Sequence, residues 1–162
     1  MLSRVFPKTH SRAGEPTDFK RKKEEGIKIH TIRGNVELWE HRAEEINAGR
    51  AELSIRQWSG KPYEQGSHQI EIARHTYLGT QRISFPCERF AIKGKLYPLW
   101  GEITDDEGCY VILDLEKIAE HDGLSVEDFK EWFAVRSRDT KVTKDCVILH
   151  FTDKRYDYFD SF

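Results

Sequence analysis

Apolar positions along this 162-residue chain switch between two periods, and the switches divide it into helices and strands. Val36, Trp39, Ala43 and Ile46 recur at helical spacing, with Glu40, Arg42, Glu44 and Glu45 on the remaining faces, so an amphipathic helix ending at Gly49 is expected. Strict alternation follows. Leu53, Ile55 and Gln57 stand against Ser54, Arg56 and Trp58, a Gly60-Lys61-Pro62-Tyr63 turn intervenes, and Ile70 and Ile72 continue into Ala73, which together read as a hairpin. Further strands are expected at 82–85, 90–92, 95–99 and 110–113, separated by turns at Gly94, Gly101 and Asp106-Glu107-Gly108. Ser125-Val126-Glu127-Asp128 resembles a capping box with Asp in the usual Glu position. The apolar stripe Phe129, Trp132 and Phe133 marks the helix it opens. The most apolar run, 146–151, predicts a buried strand through the centre of a sheet.

Before these elements, residues 3–18 read as loop, with Pro7, Gly14 and Pro16 among polar residues. A short helix is expected over 18–25, capped by Thr17 or Asp18 and stopped at Gly26. The strand that follows carries the most distinctive chemistry of the chain, Gly26-Ile27-Lys28-Ile29-His30-Thr31-Ile32-Arg33. On an ideal strand Thr31 and Arg33 share one face and Lys28 and His30 the other, so Lys28 meets Thr31 only if the chain turns or bulges after Gly26. A desolvated lysine beside a hydroxyl can take its proton and make it a nucleophile, and Arg33 offers a planar donor fork to a carboxylate, a phosphate or a base edge. The plainer alternative is a solvated strand in which Thr31 serves β-propensity.

The pattern Gly-x-Lys-x-x-Thr-Ile-Arg resembles the N-terminal signature of the ASCH family, a branch of the PUA-like β-barrels. The segment 118–129, Ile-Ala-Glu-His-Asp-Gly-Leu-Ser-Val-Glu-Asp-Phe, is similar to the family's second motif. In the small ASCH enzymes that hydrolyse N4-acylated cytidine, a lysine, a threonine and a glutamate act as base, nucleophile and acid. The resemblance implies these roles for Lys28, Thr31 and Asp122, the last a departure because its side chain is one methylene shorter. Glu120 is the nearby alternative, at a different offset. The implied fold is a single α+β domain over 1–162, a small mostly antiparallel PUA-like barrel with two or three flanking helices. Residues 34–80 are in part an insertion atypical of the family.

Composition narrows the partners. Charged residues make up 33% and the net charge is −2, so no global field draws nucleic acid, and any RNA contact is local. Two segments offer one: Lys20-Arg21-Lys22-Lys23, and 56–63, where Arg56, Trp58, Lys61 and Tyr63 interleave cations with aromatics as base stacking and phosphate binding require. Solvated charge and a core Trp58 explain the same segments without a ligand. Cys87, Cys109 and Cys146 lack paired spacing and read as reduced, core or half-buried thiols, and the seven histidines show no ligand spacing, so neither metal nor cofactor is expected. No apolar run approaches a membrane span, and a cytoplasmic location is expected. The tail 153–162, with Tyr156, Tyr158, Phe159 and Phe162, is expected to dock on its own domain or to form a homodimer.

Three functions remain open. The first is a nucleoside- or RNA-binding domain that hydrolyses an amide on a modified base, with Lys28, Thr31 and Asp122 catalytic and Arg33, Trp58, Lys61 and Glu120 binding substrate. The others are a non-catalytic RNA-binding or regulatory module and a homodimeric interaction protein.

Overall fold

The computed structural model describes residues 1–136 and 142–162. Helix α1, Phe19–Glu24, turns through Gly26 into strand β1, His30–Arg33, and helix α2, Val36–Asn47, follows. Strands β2, Leu53–Trp58, and β3, Gln69–His75, form an antiparallel ribbon of their own, with a register shift between Ile55 and Arg56. Strands β4, Gly79–Pro86, β5, Gly101–Thr104, and β6, Tyr110–Leu113, precede helices α3, Leu115–Asp122, and α4, Val126–Trp132. Strand β7, Thr143–His150, comes last. The second sheet runs β1-β7-β4-β5-β6 and is antiparallel throughout. Among the described residues its pairings leave β1 and β6 as edges. The chain is therefore α+β with mostly antiparallel sheets.

Strand β7 is covered on both faces, which shows why its sequence is continuously apolar, whereas β6 alternates buried and exposed residues. Cys146 and Ile148 point into the larger core with Ile83, Phe85, Ile118 and Phe129, while Val147 and Leu149 point the other way onto Ala43 and Ile46 of α2 and Leu78. A strand buried on both sides has no polar face to alternate with. The predicted strand sits second in the order, between β1 and β4, rather than at the centre, which β4 occupies.

Other expectations need correcting in the same region. Residues 90–92 and 95–99 form no strand, only isolated bridges such as Ile92 with Lys95 and Leu96 with Val135. Strand β5 begins at Gly101, where a turn was expected. A Cβ there would come within 2.8 Å of Ile118 and 2.9 Å of Ile83, so the glycine permits close approach of helix and strand rather than a reversal. Cys87 and Cys146 are buried free thiols, but Cys109 is exposed.

The helix termini follow local chemistry. Asp114 accepts from the Glu116 N–H at the start of α3, and Ser125 accepts from the Asp128 N–H at the start of α4. The C-terminal segment docks on its own domain: Tyr156 is buried, and the Phe162 N–H donates to the Ile112 carbonyl at 2.8 Å, whereas Tyr158, Phe159 and Phe162 stay exposed. None of the helices is long and apolar enough to cross a membrane among the described residues.

Candidate functional site

The two sequence motifs, 94 residues apart, meet at the C-terminal end of α3. Helix α3 ends at Gly123, whose φ of 81° is the left-handed conformation that suits glycine. A Cβ there would stand 3.3 Å from Lys28 Cβ. Backbone bonds fix the approach: the Lys28 N–H donates to the Lys22 carbonyl, and the Ile29 N–H donates to the His121 carbonyl in the last turn of α3. Lys28 Nζ then donates to Asp122 Oδ1 at 2.8 Å and to the Asp122 carbonyl at 2.6 Å, and Lys22 Nζ donates to the Gly123 carbonyl at 2.8 Å. Two ammonium groups thus cap the negative end of one helix.

The pair is closed to solvent, with side-chain exposures of 1% for Lys28 and 6% for Asp122. Phe19 of α1 covers it, its ring centroid 4.3 Å from Lys28 Nζ. Burial pushes the Lys28 ammonium below its ordinary pKa, against the pull of Asp122. Burial alone would raise the Asp122 carboxyl, but Lys28 and His30 outweigh it and hold it below the usual carboxylate range. Asp122 is therefore held as the carboxylate, and it acts as a proton donor only after taking a proton.

Behind the pair lies a polar network that sequence reasoning did not anticipate. His30 Nδ1 is 3.5 Å from Asp122 Oδ1, His30 Nε2 is 2.9 Å from the Tyr156 hydroxyl, and that hydroxyl is 2.8 Å from His121 Nδ1. His121 is half-buried, so the chain Asp122–His30–Tyr156–His121 runs from the core towards solvent. Gln81 fastens Tyr156 by its backbone, accepting from the Tyr156 N–H and donating to its carbonyl, while His150 Nε2 sits 2.9 Å from Gln81 Oε1. Burial pushes His30, His121 and His150 below the ordinary histidine pKa, His150 to about 3, and raises Tyr156. The one sequence signal for this cluster was a tail richer in aromatics than a free end requires.

The remaining predicted residues fall elsewhere. Strand β1 has no bulge in its pairing with β7, and Thr31 pairs with Leu149 on the face that packs against α2. Lys28 and His30 meet Asp122 on the other side of the sheet. The Lys28 ammonium hydrogen-bonds Asp122 and not Thr31, as expected of a strand without a bulge. Arg33 shares the Thr31 face and spends its fork on the Ile32 and Met1 carbonyls. Glu120 lines an open cleft of about 560 Å³ with Glu116, Glu127, Lys22, Ile27 and Gly123. Gly123 and Lys22 separate that cleft from Lys28 beneath. Trp58 and Lys61 lie in a different cleft, of about 430 Å³, at the end of the β2–β3 ribbon.

No group of three or more histidine, cysteine or acidic side chains is arranged to hold a metal ion among the described residues. No protein-family model matches the chain, no curated protein does, and no solved structure does.

Proposed function

We propose that this chain is an ASCH-type, PUA-like domain that binds a nucleoside or a base of RNA at the end of α3. The observation that carries the reading is the meeting of the two motif residues, Lys28 and Asp122, as a buried ion pair directly beneath the cleft that Glu120 lines. Two segments that resemble one family's motifs and are distant in sequence have no reason to converge unless the fold brings them together. The β2–β3 ribbon, a separate sheet whose Leu53, Ile72 and Ala73 pack on the main core, belongs to the barrel wall in this reading. In this reading Glu120 accepts from the exocyclic amine of a base, and Lys22 offers its ammonium to a carbonyl or phosphate.

Amide hydrolysis on the base is the second reading, favoured by the lowered pKa of Lys28, which brings the amine closer to a working general base. Lys28 would serve as base once Gly123 and Lys22, which separate it from the cleft, move aside. The face on which Thr31 lies argues for water rather than its hydroxyl as the attacking group.

NMR titration of the whole chain with cytidine and N4-acetylcytidine tests binding. Shifts centred on Lys22, Glu120 and Gly123 are expected, and an unperturbed spectrum at millimolar nucleoside would remove the reading. Mass-spectrometric turnover of the acylated nucleoside then separates enzyme from binder, and turnover that survives Thr31→Ala leaves water as the nucleophile.

A further inference from the structure

Tyr63 combines two properties that folding alone does not explain. Its backbone φ is 63°, and it is 90% exposed. The Glu64 N–H donates to the Lys61 carbonyl at 3.3 Å, so Lys61-Pro62-Tyr63-Glu64 is a turn with proline at its second position and positive φ at its third. Glycine or asparagine ordinarily fills that third position, because a Cβ strains it. A bulky aromatic there gains no burial in return. Strain of this kind, held by surrounding structure, clusters at binding sites.

The strained turn sets the Tyr63 ring beside that of Trp58, centroids 5.0 Å apart and planes inclined at 58°. Two rings at that angle form a corner rather than a sandwich, with room for one flat group on a ring face and the second ring at its edge. The corner opens on the 430 Å³ cleft, whose wall adds Leu2, Val5 and Pro62 and two cations, Arg4 and Lys61, with no carboxylate among the lining residues. Glu64 contacts Lys61 from outside the cleft at 3.4 Å, with both side chains well exposed. Apolar ring faces beside two cations, only one of them in a solvent-exposed ion pair, match a flat base joined to an anionic backbone.

We infer that the Trp58–Tyr63 corner is a stacking site for one base of a single-stranded RNA, whose phosphates lie along Arg4 and Lys61. The inference rests on the nucleobase reading above in taking the ligand to be a base, and it extends that reading from a free nucleoside to a strand held at a second place on the domain.

The test is fluorescence anisotropy of the whole chain with a labelled ten-nucleotide oligouridylate, beside thermal melts. The wild type should bind with an affinity that falls as salt rises. Tyr63→Gly should weaken binding about tenfold or more, within the range for loss of one stacked base, while the melting temperature stays level or rises because the strain is gone. Trp58→Ala should weaken it similarly, and Lys61→Glu should weaken it most at low salt. No binding by the wild type, or wild-type affinity in Tyr63→Gly, would overturn the corner. The two readings separate cleanly: nucleoside shifts at Glu120 that persist in Tyr63→Gly leave the first intact whatever becomes of the second. RNA binding without those shifts keeps the corner and removes the nucleoside site.

Discussion

The end of α3 and the tip of the β2–β3 ribbon are opposites in how they hold their polar and aromatic groups. At α3, Lys28, Asp122, His30 and Tyr156 are buried; Lys28 bonds Asp122, His30 bonds Tyr156, and Phe19 covers Lys28. At the ribbon tip Tyr63 is exposed, strained and supported by one neighbouring ring. Removal of one group from the buried site leaves another unpaired in a low dielectric, whereas the ribbon tip gives up little stability when its ring is lost. The first site therefore couples any chemistry to the stability of the fold, and the second is free to bind without that coupling.

The largest effect expected is at the ion pair. Asp122→Ala leaves the Lys28 ammonium buried without its counter-charge and should cost about 3–5 kcal/mol by urea denaturation. The double substitution Lys28→Met with Asp122→Leu should recover much of that loss, because it removes both charges and refills the space. A small loss in the single variant would mean that Lys28 reaches solvent, and the contrast between the two regions would dissolve.

Acid comes next. His30, His121 and His150 all have native pKa values below their ordinary 6.5, His150 about 3. The unfolded chain then binds more protons than the native one below that value. Their contribution is fully present above pH 6.5 and is lost as pH falls towards the native values, at up to about 1.4 kcal/mol per pH unit for each histidine. Denaturation midpoints at pH 7 and pH 5 should differ clearly. Equal midpoints would show that these rings are not held neutral by burial.

Tyr156→Phe is subtler. It keeps the ring and removes the hydroxyl that joins His30 Nε2 to His121 Nδ1. A loss of about 1–3 kcal/mol is expected for leaving a buried partner unsatisfied, and a thermal melt without change would show the hydroxyl to be dispensable. Tyr63→Gly stands at the far end of the series, where stability should hold or rise.

Much of the local structure was legible in the sequence because it depends on neighbours a few residues away. The period of Val36, Trp39, Ala43 and Ile46 marks α2, alternation over 53–58 marks β2, and Ser125 with Asp128 marks the start of α4. Gly101 misled because glycine serves turns and close approaches alike, and only the position of Ile118 on a packed helix tells them apart. Lys28 and Asp122 were readable as separate candidates.

The sequence by itself determined α2, β2 and the start of α4, that β7 is buried, and that Lys28 and Asp122 stand out as candidates. Tertiary structure alone decided that those two meet, that Thr31 turns to the other face of the sheet, and that Tyr156 and two histidines complete the network. Periodicity records how a segment divides its own faces between core and solvent. It holds no record of which distant segment supplies the opposite charge, because that contact is set by how the helices and the sheet pack.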